Sequence, residues 1–386
     1  MEVTRYRIGV LFSNSGPYGV VSRSMRNGAM LAFAEINYSG IHNFHLEPVI
    51  ADPAGDLGQY DALSAALIGS GIRHVVGCYT SSSRKDVIPN FEKQDALLWY
   101  PSHYEGFESS NNVIYTGAAP NQHIIPLISY LTANTGKKAY CVGSNYIWAW
   151  ENNRILREGL AASGGSVVAE RYFAVGKTDH STLIAATIES RPDFVFNTLI
   201  GTSSYQFYRD FRAACEARGI DQPKEIPVAS CSLSEPELAE IGACAMDGHI
   251  SSSVYFSSID TDTNQAFVAA YDRLYPSGPS VSADAEASYN AVKLLAAAIA
   301  SAGSDDVGAV RAAVSRQRLE APQGTVWIDA ETSHACLTPR IGKSTGSGRF
   351  EVVFAARQPV LPDPYLVQST PRYAEHPQPS SLRLVS

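Results

Sequence analysis

Apolar positions along this chain alternate between short runs that read as strands and stretches spaced three or four residues apart that read as helices. Tyr6–Phe12 is an apolar run closed by Ser13-Asn14-Ser15-Gly16-Pro17, and Ser22–Asn37 then carries Met25, Ala29, Ala32, Phe33 and Ile36 on one helical face. Phe44–Ile50 is extended, and a helix is predicted over Gln59–Ile68. Arg73–Cys78 is a third strand with its helix at Ser83–Gln94, followed by short strands at Leu97–Tyr100 and Val113–Tyr115. This βαβ alternation predicts an open, mostly parallel sheet.

The pattern then begins again. Pro120-Asn121-Gln122 opens a helix to about Ala133, and Lys138–Gly143 starts a second strand series. Its further strands are expected at Val167–Phe173, Asp193–Ile200 and Ile226–Ser230, with helices near Trp150–Ala162, Ser181–Glu189 and Tyr205–Arg218. The aromatic set Phe207, Tyr208 and Phe211 lies at helical spacing and reads as core. After an extended Ile250–Phe256 come helical patterns at Asn264–Leu274, Ala283–Ala302 and Val307–Arg316, then strands at Thr325–Ile328, Ala335–Arg340 and Phe350–Phe354. Two series imply two α/β lobes. The last stretch, from about Ser369, is polar and Pro-rich and is expected to be a surface tail.

Composition narrows the class. With 386 residues, 45% of them apolar and 18% charged, the chain has enough apolar surface for a large core. A formal charge of −8 disfavours phosphate backbones, so no direct nucleic-acid partner is expected. No apolar run approaches the ~18 residues of a membrane span. The chain enters its first strand within about six residues, without a leader pattern or space for a DNA-binding helix-turn-helix. The expected location is therefore cytoplasmic, or periplasmic where a leader has been removed. Six scattered cysteines read as reduced and buried, and the dispersed histidines offer no metal motif, so neither metal nor cofactor is expected.

Enzyme signatures are weak. There is no G-x-S-x-G and no G-x-G-x-x-G, and Leu337 stands where a P-loop ending in Gly342-Lys343-Ser344 needs glycine. Ser82-Ser83-Arg84-Lys85 matches S-x-x-K but lacks the companion motifs S-D-N and K-T-G, so catalysis is not expected. The same segment, Gly77–Ser83, runs from a strand end into a helix start. Its serines either cap that helix or, with the free N–H groups, hold a polar ligand. Other strand tips, at Trp99–Tyr104, Gly143–Trp148, Gly201–Tyr205 and Ala229–Ser232, are rich in Tyr, Trp, Ser and Thr and almost free of charge. Such a lining predicts a small neutral polar ligand.

Val76-Gly77-Cys78-Tyr79-Thr80-Ser81, Arg84-Lys85, Tyr100-Pro101, Tyr104-Glu105-Gly106-Phe107 and Ala119-Pro120-Asn121-Gln122 together resemble the type I periplasmic-binding-protein family. Gly143–Ile147, Tyr255–Thr261, Ala321–Gly324 and Pro362–Tyr365 extend the resemblance from about Ile8 to Tyr365, and it points to the family's amide-sensing branch. The resemblance implies two doubly wound α/β lobes with a ligand cleft between them, joined by three crossovers. The lobes would comprise 1–118 plus 251–326, and 119–250 plus 327–368, with the polar tail at 369–386. It also implies a non-catalytic receptor for a short amide or urea-like molecule.

The pocket positions it implies are Tyr79, Ser81, Tyr100, Ser102, Tyr104, Tyr146, Trp148, Thr202 and Ser232. His103 joins them either as a pocket donor or as a rim residue turned to solvent. Ser102 and Ser232 replace expected threonines, Trp148 a tyrosine and His103 a proline, which reshapes the pocket. The resemblance further implies a sensor that sequesters an RNA-binding antiterminator and releases it when amide binds. The alternative is the solute-binding component of an ABC importer for amides, urea or branched-chain amino acids. Assembly into an oligomer is compatible with either.

Overall fold

A computed structural model describes residues 3–369. The first series forms β1 (Thr4–Leu11), α1 (Gly19–Ser39), β2 (Phe44–Ala51), α2 (Gln59–Gly69), β3 (His74–Gly77), α3 (Ser81–Lys93), β4 (Leu97–Tyr100) and β5 (Val113–Tyr115). The second forms α4 (Pro120–Asn134), β6 (Lys138–Ser144), α5 (Ile147–Ala162), β7 (Ser166–Phe173), α6 (Ser181–Ser190), β8 (Phe194–Thr198), α7 (Thr202–Glu216), α8 (Gln222–Glu225), β9 (Val228–Ser230), α9 (Glu235–Ile241) and β10 (Ile250–Ser253). Then follow α10 (Asp262–Leu274), α11 (Ala283–Ala302), α12 (Val307–Val314), β11 (Leu319–Ala321), β12 (Gly324–Ile328), β13 (Ala335–Cys336), β14 (Arg340–Ser344) and β15 (Phe350–Ala355).

Two doubly wound sheets result. The first has the order β2-β1-β3-β4-β5 and is parallel throughout. Its strands are apolar on both faces because both are covered. Ile8, Val10, Val76, Leu97 and Trp99 join α1 and α11 in one core. Their neighbours Leu11, Val75, Leu98 and Tyr100 join α2 and α3 on the other side. The second sheet runs β15-β14-β10-β9-β8-β6-β7, with β14 and β15 antiparallel at one end. Here α4 and α5 cover Ala139, Cys141 and Phe196, while α6 and α7 cover Tyr140, Val142 and Val195. Phe207 and Phe211 stack inside that second core at 5.5 Å, as their spacing predicts.

The chain passes between the lobes after β5, after β10 and after β13. Ala335–Arg340 is not one strand. Pro339 has no N–H to give a ladder, and β13 and β14 on either side of it belong to different sheets. The expected lobe boundary at 326/327 falls inside β12, which pairs with β11 on one side and β13 on the other. The polar tail lies, from residue 370, outside the described residues.

Helix α11 is held against α1 at close range. Ser282 caps it by accepting the Ala285 N–H at 3.0 Å, and its hydroxyl also meets that of Ser24 at 2.7 Å. A Cβ on Gly28 would stand 2.1 Å from the Ala285 carbonyl oxygen. Gly28→Ala gains roughly 1 kcal/mol of helix propensity, yet must separate two packed backbones. It is expected to destabilise the protein by about 1–3 kcal/mol in chemical denaturation; a more stable variant would show that the helices are free to part.

Candidate ligand-binding site

The first-lobe wall of the cleft starts where β3 ends. Cys78 takes a left-handed conformation, φ 68°, turning the chain sharply before Thr80 caps α3 by accepting the Ser83 N–H at 3.2 Å. Ser81 therefore sits at the first helical position, beside N–H groups with no partner in the helix. Its hydroxyl donates to Glu105, and Arg84 reaches the same carboxylate at 2.9 Å. Arg84 is fully buried, pairs with Glu108 at 2.7 Å, and lies between the rings of Tyr100 and Tyr104, 4.8 and 4.7 Å from their centroids. Lys85 also bonds Glu108, at 2.6 Å, and is thus directed to a carboxylate rather than paired with Ser82 as a base. Burial pushes the Cys78 thiol up to about 12, so it is no nucleophile.

The opposite wall is the start of α5 and the tips of β8 and β9. Tyr146 and Trp148 stack at 6.3 Å, and Trp148 meets the His103 ring across the cleft at 5.5 Å. The lobes also touch through backbone. Thr202 N–H donates to the Pro17 carbonyl at 3.0 Å, from a turn in which Gly201 has φ 59° and ψ −140°. A side chain there would put its Cβ 2.1 Å from the Pro17 oxygen, so glycine is required twice over.

Tyr79, Ser81, Ser102, His103, Tyr146, Trp148 and Ser232 surround one cavity with about 10 Å³ of free space, with Ile200 as an eighth lining residue. That is room for about one water molecule, far below the roughly 300–1,000 Å³ of drug-sized pockets. Three expected residues lie elsewhere. Tyr100 is behind the wall, its hydroxyl donating to the Tyr79 carbonyl at 2.9 Å. Tyr104 is buried against Arg84 and bonded to His334, while Thr202 is exposed and contributes its backbone to the interlobe contact. His103 lines the cavity rather than turning to solvent, held by Asp284 at 3.3 Å.

The neutral lining expected from the strand tips is incomplete, because charge arrives from other elements. Asp284, in the first turn of α11, accepts from Ser102 at 3.4 Å as well as facing His103. Glu237 on α9 accepts from the Ser234 N–H and hydroxyl, at 2.9 and 3.1 Å. Burial pushes its carboxyl up to about 8 against those bonds, and Asp284 adds to the rise. The S-x-x-E pattern Ser234–Glu237 is a capping box that marks α9 in the sequence. Asp284 carries no comparable mark, since only the return of α11 to the first lobe brings it to the cleft. The phenols of Tyr79 and Tyr146 are raised by burial and stay neutral. Among the described residues no cluster of metal-ligating groups occurs.

Two α/β lobes closing on a small polar cavity define a ligand receptor of the periplasmic-binding type. The profile of the periplasmic binding protein domain family matches residues 6–371, and the chain belongs to that family. It is 25% identical over 239 residues to the Leu/Ile/Val/Thr-binding protein of Salmonella typhimurium, covering 61% of this chain and 66% of that one. The chain spans two thirds or less of the first curated relatives it matches. In fold it is similar to an ABC-transporter solute-binding protein of Rhodopseudomonas palustris in complex with p-hydroxybenzoic acid. That likeness has a TM-score of 0.84 at 20% identity and covers 94% of this chain and 99% of that one. A branched-chain amino acid transporter substrate-binding protein of Streptococcus pneumoniae, in complex with isoleucine, gives a TM-score of 0.78 at 21% identity, over 93% and 100% of the two chains. The family is one of binding proteins, and no helix among the described residues is long and apolar enough to cross a membrane.

Two outcomes are expected. Gly201→Ala disrupts the Thr202–Pro17 contact, so amide hydrogen exchange at Thr202 should accelerate about tenfold or more; unchanged protection would show that the contact does not hold the lobes together. Glu237 titrates higher folded than unfolded, so its share of stability is full below the ordinary carboxylate range and is lost as pH rises toward 8. Thermal melts at pH 6 and 8 should therefore show a smaller loss on alkalinisation for Glu237→Gln than for the parent.

Proposed function

We propose that this chain is the solute-binding component of an ABC importer and closes on a small molecule bearing an amide or urea group. One observation carries the ligand class. Trp148 Nε1 is buried in the cleft without a hydrogen-bond partner, while the Ser81 hydroxyl across the same cavity has its proton committed to Glu105. The cleft thus offers an N–H donor on one wall and an oxygen acceptor on the other, the pair an amide needs. The lobe division expected above is part of this reading, with the last boundary moved past Cys336 because β12 pairs on both sides.

The likeness to importer components supports this reading, and the periplasmic location that accompanies it, over a cytoplasmic sensor holding an RNA-binding antiterminator. Small size limits affinity. Acetamide has about four heavy atoms, and at roughly 1.5 kcal/mol each the ceiling is near 6 kcal/mol, or tens of micromolar.

Titration of Trp fluorescence with acetamide, propionamide, butyramide, urea and leucine tests the reading. Saturation by an amide or urea is expected; saturation by leucine alone would replace the amide class with amino acids. Ser81→Ala should weaken amide binding about 5- to 150-fold, corresponding to roughly 1–3 kcal/mol for a buried group left unpaired. Equal affinity in that variant would return Ser81 to a mere partner of Glu105.

A further inference from the structure

A second cavity, with about 20 Å³ of free space, lies beside the first, and His103 lines both. Its other polar side chains include His123 and Asp284, which offer hydrogen-bond acceptors. Burial, aided by neighbouring His103, pushes the His123 imidazole down to about 3, so the ring is neutral. Its Nε2 meets the Tyr104 carbonyl at 2.9 Å and must carry the proton there. Nδ1 is left as a bare lone pair, buried and without a partner.

Asp284 is 5% exposed and makes both its side-chain hydrogen bonds, to Ser102 and His103, through Oδ1. Oδ2 makes none. Among the described residues no lysine or arginine pairs with it; His103 meets only Oδ1, at 3.3 Å, and forms an ion pair only when protonated. Glu237, raised to about 8 by burial, is mainly protonated at neutral pH and offers Asp284 no positive charge. A buried carboxylate with an idle oxygen, beside a bare imidazole nitrogen, calls for N–H groups and positive charge.

We propose that this compartment receives a cationic nitrogen head of ammonium size on a ligand whose amide group is held between Ser81 and Trp148. This rests on the amide reading of the first cavity. The ligand class is thereby narrowed from simple amides to short amides carrying a basic nitrogen.

The test compares glycinamide and β-alaninamide with their uncharged counterparts acetamide and propionamide by calorimetry at pH 7, with guanidinoacetamide as a cationic head too large for the compartment. In the unaltered protein a cationic amide should bind about tenfold or more tightly than its neutral counterpart. Asp284→Asn should reduce that preference to about threefold or less. Equal affinity for charged and neutral probes in the unaltered protein would overturn the proposal without recourse to any variant. Equal weakening of both probe classes by Asp284→Asn would overturn it too, as the mark of a structural role. Leucine binding in place of amides, weakened by Asp284→Asn, would overturn the amide reading and support the cationic compartment. No response to any probe would overturn both.

Discussion

Arg84 is the constraint on which the cleft depends. A guanidinium wholly out of water costs several kcal/mol unless its surroundings replace the lost hydration. Here two carboxylates more than twenty positions downstream, and the faces of two tyrosines, do so. That requirement draws the loop after β4 onto the start of α3. Glu105, fixed by Arg84, in turn accepts a hydrogen bond from the Ser81 hydroxyl. The polarity offered to a ligand is therefore set by a residue that lines neither of the two cleft cavities.

The second lobe supplies the complementary half through aromatic surface and one unpaired indole N–H. Its approach is limited by backbone rather than by side chains, since Gly201 and Pro17 meet with no space between them. A ligand with unequal affinity for open and closed arrangements shifts their populations by that difference alone. Closure on this site therefore needs few contacts, provided each buried polar group on the two walls finds its partner.

Much of this was legible in the order of residues. The strands at Leu97–Tyr100 and Val113–Tyr115 and the helix Ala283–Ala302 lie where periodicity puts them, because each is an uninterrupted apolar pattern. Seven of the ten expected pocket residues surround one cavity, since strand tips in open α/β sheets converge on one edge. Tyr104 carries the same chemistry but is drawn inward by Arg84, a partner that spacing does not reveal. Asp284 was invisible for the opposite reason: it belongs to a helix nearly two hundred residues away in sequence from the strand tip it serves. Neutral tips suggested a neutral site, but burial and topology, rather than local composition, determine which charges reach it.

The packing of α1 against α11 has a consequence for how the molecule is made. During synthesis the first five strands and α1 emerge long before the helix that completes one of their faces. Ile8, Val10 and Trp99 share a core with Leu294, Leu295 and Ile299, so the apolar face of a nascent first lobe stays incomplete while the whole second lobe is translated. Closing so long a loop before its contacts form slows folding and prolongs the exposure of sticky surface. The second lobe, whose parallel strands β6 to β10 follow one another in sequence, can condense meanwhile. The late-arriving α11 therefore leaves one face of the first sheet uncovered until about three quarters of the chain has been made.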